Sequence, residues 1–403
     1  MITHQEIKNL VSEWGLREDV IEKDYVLGWV LWAIGTDPDL SQYWTFKGGT
    51  SLKKCYIETW RFSEDLDFTV LPGGPSNPTT IEPIIKRVLE RVHDESGIDF
   101  SAKEPAFKHS EEYIYTEGSI YYRGPRNDPR VARIKLDISG AEKVVCPTVL
   151  RKIAHAYSDG LPDPAQVRCY AFEEVFAEKL RAMAERGRPR DLYDITLLYR
   201  RRDLKSQPNI IKSVLDQKCQ AKGIATPTIE SIYGSSRKEE LVSDWENMLG
   251  HQLNTLPSFE EFWEGLPNIF NWLNGKEGVF QELPSVGFSK TDDQAWTPPP
   301  TVWRWGLGVP LESVRFAAVN HLCIELGYNR SVRLIEPYSL RRTKDGNLLL
   351  YAWKIEDREI HAYRVDRMES IKVSTKTFKP RYRIEFFQSG MIQAPYTARR
   401  RSF

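Results

Sequence analysis

Phe46-Lys47-Gly48-Gly49-Thr50-Ser51-Leu52, followed after a short interval by Arg61-Phe62-Ser63-Glu64-Asp65-Leu66-Asp67-Phe68, decides the fold of this chain. Trp44 to Phe46 reads as a strand and the sequence from Leu52 as a helix, which makes Gly48-Gly49-Thr50-Ser51 a strand-to-helix turn. Free backbone N–H groups at such a turn, with the helix N-terminus behind them, can hold a triphosphate. Ser51 adds a hydroxyl and Lys53 a charge, although glycine is common in these turns for its φ range alone. Leu66 to Val70 then alternates as a strand, so Asp65 and Asp67 share one face while Leu66, Phe68 and Val70 face a core. Two carboxylates crowded in this way repel each other unless a cation lies between them. Mg²⁺, or Mn²⁺, suits the pair because it takes oxygen ligands and leaves positions for phosphate and water. The plainer alternative is a polar turn, Ser63-Glu64-Asp65, whose acids are simply solvated. Glycine turn and acidic strand in this order, within one helix-loop unit, are more specific than either alone.

Upstream, apolar residues from Ile21 to Ile34 recur with helical spacing behind Glu22-Lys23-Asp24. Downstream, Tyr113–Tyr122 and Val131–Ile138 alternate as further strands of the same sheet. On the second of these, Arg133, Lys135 and Asp137 share a face. Asp137 is a candidate third carboxylate, completing a two-metal site or acting as base toward an attacking hydroxyl. From Phe172 to about Leu198 the period is helical, interrupted at Gly187-Arg188-Pro189. Lys179 falls inside the apolar stripe of Phe172, Val175, Phe176, Leu180 and Met183 and needs an anion, either bound triphosphate or none if its stem snorkels past the core edge. Asp191 and Asp194, three apart, share a helical face; capping is the competing role, favoured for Asp194. Arg186, Arg188 and Arg190 can neutralise phosphate or be solvated.

The 403 residues suffice for two or three domains. Lys+Arg and Asp+Glu both number 56, so no global charge steers the chain toward nucleic acid or an anionic membrane. The apolar stretch Tyr25–Ile34 falls short of the roughly 20 residues that span a bilayer. The first residues lack a basic start and an apolar signal run, which predicts a cytoplasmic protein with no membrane partner. Five scattered cysteines without a Cys-x-x-Cys spacing argue against a disulfide framework or zinc site. Thr297-Pro298-Pro299-Pro300 lies in a stretch of little periodicity, 275–303, read as an interdomain linker. Beyond it come a helix, Leu311 to about Val319, and short strands at Cys323–Tyr328, Arg333–Ile335, Leu348–Ile355 and Ile360–Val365. Hairpin-type turns fall at Lys344-Asp345-Gly346-Asn347 and Glu356-Asp357-Arg358. The tail 397–403, with Arg399-Arg400-Arg401, adds electrostatic affinity for RNA.

The quoted motifs, with Glu22-Lys23-Asp24-Tyr25 upstream and Glu178-Lys179-Leu180, Arg186 and Arg190-Asp191-Leu192-Tyr193-Asp194-Ile195 downstream, resemble the AbiEii/MenT-type nucleotidyltransferase toxins over about the first half of the chain. The wider superfamily is polymerase-β-like; its glycine-to-acid separation is usually shorter than the fifteen residues Thr50 to Glu64. The resemblance implies an α+β fold: a polymerase-β-like nucleotidyltransferase domain over 1–205 and a helical extension over 206–274. It also implies a cytoplasmic enzyme of a toxin-antitoxin or phage-defence system, moving NMP from an NTP to RNA, in some members the acceptor end of tRNA, and opposed by a separately encoded antitoxin. Carried over, Gly48, Gly49, Thr50 and Ser51 hold phosphates, Asp65 and Asp67 bind Mg²⁺, and Lys53, Lys179 and Asp191 contact nucleotide or complete catalysis. Ser63 matches a serine that the antitoxin phosphorylates in some relatives. Arg333-Leu334-Ile335-Glu336-Pro337-Tyr338-Ser339-Leu340, Leu349-Leu350-Tyr351-Ala352 and Tyr363-Arg364-Val365-Asp366-Arg367 resemble a WYL domain, a small Sm/SH3-like β-barrel, over 304–403. Tyr351, Arg364 and Arg367 are then candidate ligand contacts by stacking and phosphate pairing, against a structural barrel whose arginines pair with Asp366 or Glu369. The alternatives are NMP transfer to a protein and a non-catalytic, nucleotide-sensing regulator acting through the WYL-like domain.

Overall fold

A computed structural model describes residues 1–57, 61–201, 204, 206–235, 237–276, 283–287, 292–293, 311–343 and 347–386. Helix α1 (His4–Trp14) is capped by Thr3, whose hydroxyl accepts from the Glu6 N–H, and ends at Gly15 in the left-handed region. Helix α2 (Glu18–Gly35) covers the sequence-predicted Ile21–Ile34 and buries nearly every residue. It is apolar almost all round because it lies inside, against the sheet strand Gln166–Cys169 and the helix Pro78–Ser96.

Strand β1 (Trp44–Lys47) runs into the single helical turn α3 (Gly48–Ser51), which continues as a π-helical turn, Leu52–Tyr56. The helix therefore begins at the glycines and not at Leu52. Then follow β2 (Asp65–Val70), α4 (Pro78–Ser96), β3 (Ala106–Ser110), β4 (Tyr115–Tyr122), β5 (Ala132–Ser139), β6 (Val149–Lys152) and β7 (Gln166–Cys169). These strands make one mixed sheet in the order β3-β4-β5-β2-β1-β7-β6. β2 is central, antiparallel to β1 and parallel to β5. Alternation sets the faces: Leu66, Phe68, Ile134, Leu136 and Ile138 are fully buried on one side, leaving the acids on the other. The register places Lys47 opposite Asp67, Asp67 opposite Asp137, and Asp65 opposite Lys135.

Helices α5 (Phe172–Glu185) and α6 (Pro189–Arg200) flank the break at Gly187, which sits at φ 53°, with Pro189 in the first turn of α6. The helical extension is α7 (Pro208–Ala221), α8 (Ile229–Tyr233), α9 (Arg237–Leu249) and α10 (Phe259–Leu273). Its aromatic residues anchor it: Phe262 stacks on Tyr193 at 5.3 Å and Trp272 on Phe176 at 5.7 Å.

The C-terminal domain holds β8 (Asp292–Asp293), α11 (Leu311–Val319), β9 (Leu322–Tyr328), β10 (Ser331–Thr343), β11 (Leu348–Lys354), β12 (Glu359–Arg364) and β13 (Met368–Thr377). Five strands form an antiparallel path, β12-β11-β10-β9-β13, with β8 on β10. The stretch read as a linker is not bare where it is described. β8 pairs with Arg342 and Thr343, and Val286 and Gly287 carbonyls accept from Arg341. β10 far exceeds the expected Arg333–Ile335, because Pro337 is absorbed at a register shift between Pro337 and Ser339 instead of ending the strand. Lys344-Asp345-Gly346, the tail and most of 275–303 lie outside the described residues.

Candidate functional site

The glycine turn rests on the acidic strand. Gly48 has φ 79°, and a Cβ there would fall inside van der Waals contact with Asp67 Oδ2. A Cβ on Gly49 would lie 2.7 Å from an Arg61 guanidinium nitrogen and 3.1 Å from Ser63 Oγ. Both glycines are thus required by close approach to the site, and Gly48 by its backbone as well. Thr50 Oγ1 donates to the Asp65 carbonyl at 2.6 Å and Ser51 Oγ to the Gly48 carbonyl at 2.9 Å. The Thr50 bond locks the turn onto β2 and the Ser51 bond closes the turn on itself, so the turn's offer to an anion is its backbone N–H groups, the first of a helix and without intrahelical acceptors. Ser63, 8% exposed, lies beside Gly49.

Asp65, Asp67 and Asp137 gather on the polar face as the alternation predicted. Burial, with Asp137 adding to it, raises the Asp65 carboxyl above the ordinary range. Burial pushes Asp67 up to about 6 against the opposing pull of Lys47, with Asp137 and Asp65 adding to the rise. Carboxylates that resist ionising in isolation are suited to a divalent cation, whose charge removes both the repulsion and the desolvation cost. Asp137 is held by two donors, the Tyr115 hydroxyl and Lys135 Nζ at 2.9 Å. Among the described residues, one trio alone brings three such ligand atoms within 4.8 Å of one another, the largely exposed Asp357, Glu359 and His361 in the C-terminal domain. The fit to a cation at the main site is therefore to Asp65 and Asp67, with water and phosphate in the other positions.

Lys179 is 6% exposed, and its partners are carboxylates of α6: Asp194 at 2.7 Å and Asp191 at 3.6 Å. Arg186 forks onto Asp191 at 2.9 and 3.0 Å. Arg61 forks onto Asp194 at 2.8 and 2.9 Å and also donates to Gln252 Oε1 at 2.8 Å. Neither acid caps a helix: the N-cap of α6 is Arg188, which makes no side-chain cap, and Asp191 and Asp194 are 0% exposed. The capping role favoured for Asp194 is overturned, because Arg61, Lys179 and the burial of α6 claim it. Arg190, partly buried in the first turn of α6, has no hydrogen-bond or ion-pair partner among the described residues; burial and the Arg61 charge lower its pKa.

Lys53 is placed differently from the other candidates. Its ammonium lies 4.1 Å from the Phe62 ring centroid, in a separate cavity of about 70 Å³ lined also by Trp14, Gln252 and Asn254. Sequence reasoning missed Lys47, which faces Asp67 and pairs with Glu142, and the acid-holding roles of Tyr115 and Arg61. Lys47 was legible in principle, since it immediately precedes Gly48 on a strand that must pair with the acidic one. In the C-terminal domain Arg364 pairs with Asp366 at 2.6 Å, as the structural alternative requires, while Glu369 accepts from the Arg330 N–H. Tyr351 is buried with Arg341 over its ring, and Arg367 is exposed.

The sequence profile described as nucleotidyl transferase AbiEii toxin, type IV TA system, matches residues 29–266, more than half of the chain. The WYL domain profile matches residues 311–373. No curated protein sequence matches. Among solved structures the chain is similar to MenT4, a nucleotidyltransferase toxin from Mycobacterium tuberculosis H37Rv, at 17% identity and TM-score 0.39, over 67% of this chain and 87% of that one. A second similarity is to the proteasome accessory factor B/C of Arthrobacter aurescens, at 17% identity and TM-score 0.18, over 38% of this chain and 23% of that one. No described helix is long and apolar enough to cross a membrane.

Proposed function

The chain belongs to the AbiEii family of nucleotidyltransferase toxins, and from that premise we propose that it transfers a nucleoside monophosphate from an NTP to RNA, at the acceptor end of a tRNA. The observation that carries this reading is the seating of the Gly48 turn directly on the Asp67 carboxylate, which brings an anion-binding backbone and an acidic pair to one point. Asp65 and Asp67 would hold Mg²⁺, which when bound would supply charge neutralisation at the reacting phosphate.

The acceptor hydroxyl oxygen bonds to the α-phosphorus as the bond from that phosphorus to the bridging oxygen breaks, and pyrophosphate departs toward the Gly48 turn. The hydroxyl proton passes to Asp137 or to solvent. Asp137 is positioned for this by Tyr115 and Lys135, whose donated hydrogen bonds fix its carboxylate. Arg186 and Lys179 hold Asp191 in place, Arg61 and Lys179 hold Asp194, and Arg190, without a carboxylate bonded to it, is offered to phosphate. Incubation with each α-labelled NTP and total RNA tests the proposal: label should be retained on RNA in a size class matching tRNA. Label appearing on protein alone supports transfer to a side chain instead.

A further inference from the structure

We propose that a cleft on the far side of Asp65 receives the acceptor strand, and that Arg133 binds one of its phosphodiesters; this rests on the transfer reading above. The cleft, about 310 Å³, is lined by residues that include Lys23, Glu64, Asp65, Arg126, Arg133 and Lys135. Asp65 is shared, since it borders the cleft and also stands on the same strand face as Asp67. In-line displacement requires the attacking and leaving oxygens on opposite sides of phosphorus. The glycine turn packs against Asp67 and fixes that end for pyrophosphate. The cleft opens at Asp65, two residues back along β2, which is the other end.

The charges within it are sorted. Lys23 is tied to Glu64 at 2.5 Å, Arg126 to Glu22 at 3.0 Å, Lys135 to Asp137 at 2.9 Å, and the lining carboxylate Asp19 to Arg17 at 2.5 Å. Glu22 also accepts from the Arg126 N–H at 2.8 Å, and the Gly124 backbone lies against its carboxylate, so that wall is fixed. Arg133 is exposed and has no hydrogen-bond or ion-pair partner among the described residues. It shares the β5 face with Lys135, which sits opposite Asp65 in the register, and stands roughly 7 Å further along the strand. A guanidinium there reaches a phosphodiester next to the reacting nucleotide and can fork onto two of its oxygens. A protein acceptor carries no such repeated anion.

The test uses the full chain and its Arg133→Glu and Arg133→Gln variants, both at an exposed position that leaves the core untouched. Binding of unfractionated bacterial tRNA is measured at several salt concentrations, beside the affinity for each Mg-NTP. Arg133→Glu should weaken tRNA binding about tenfold and reduce the salt slope by about one, with Arg133→Gln intermediate. NTP affinity should stay within about twofold of the unaltered chain. Unchanged tRNA affinity and slope, no tRNA binding by the unaltered chain, or an equal loss of NTP affinity would each overturn the assignment. If the unaltered chain binds tRNA through Arg133 but moves no label from any NTP, the transfer reading fails while the cleft stands. Full transfer to RNA by Arg133→Glu at an unaltered KM is the converse.

Discussion

Asp194 accepts from Lys179 Nζ at 2.7 Å while Arg61 holds both of its oxygens, so one fully buried carboxylate is shared by two buried cations drawn from different parts of the chain. Burial alone would raise its pKa; Arg61 first, then Lys179, overcome this and hold it at about 2. Replacing Asp194 by Ala leaves Arg61 without a carboxylate and Lys179 with Asp191 alone at 3.6 Å, and breaking such a buried pair costs roughly 3–5 kcal/mol. Urea unfolding should show a loss of that size, and Asp194→Asn a smaller one. A variant as stable as the unaltered protein would mean that the cations find other partners.

Gly48→Ala joins a conformational defect to a functional one. A non-glycine residue in the left-handed region costs on the order of 1–2 kcal/mol, and here its Cβ would also push Asp67 off its position. Transfer should fall by far more than the modest drop in stability implies, with Mg²⁺ titration shifted to higher concentration. Loss of stability with transfer intact would show that Asp67 has room to move.

Glu13 of α1 meets α11 of the C-terminal domain: its carboxylate accepts from the Glu312 N–H at 3.1 Å. Burial, and then the nearby Glu312 charge, raise its pKa from 4.5 to about 7, against hydrogen bonds from the Glu312 and Leu311 backbone. A folded pKa above the unfolded one contributes stability that is full below the unfolded value and lost as pH rises through the folded value. The contact should therefore weaken between about pH 4.5 and 7. Melting curves from pH 5 to 8 should show a decline that Glu13→Gln removes; parallel declines in the two proteins would clear Glu13 of the effect.

Much of the site is legible in the sequence. A period of two put Asp65, Asp67 and Asp137 on one polar face, and Gly187 with Pro189 marked the break between α5 and α6 to the residue. Lys179 needed an anion, as its place in an apolar stripe implied, but Asp191 and Asp194 supply it within the protein. Arg61 to Asp194 and Lys47 to Asp67 join positions distant in sequence, and no local period reports such pairs. Proximity to the glycines points Lys53 at phosphate, yet the π-helical turn that follows carries its ammonium to Phe62. β13, rich in Lys, Glu, Ser and Thr, is an edge strand whose alternation lacks apolar contrast, so it was not seen.

A nucleotidyltransferase is defined by which phosphate it handles and which residues handle it. The unaltered chain and Asp65→Asn are incubated with Mg²⁺, total RNA and NTPs labelled at either the α- or the γ-phosphate. α-Label should become covalently attached to RNA, γ-label should be released, and Asp65→Asn should remain folded while attaching none. Retention of γ-label on RNA, or α-transfer by Asp65→Asn at the rate of the unaltered chain, would contradict the proposed transfer.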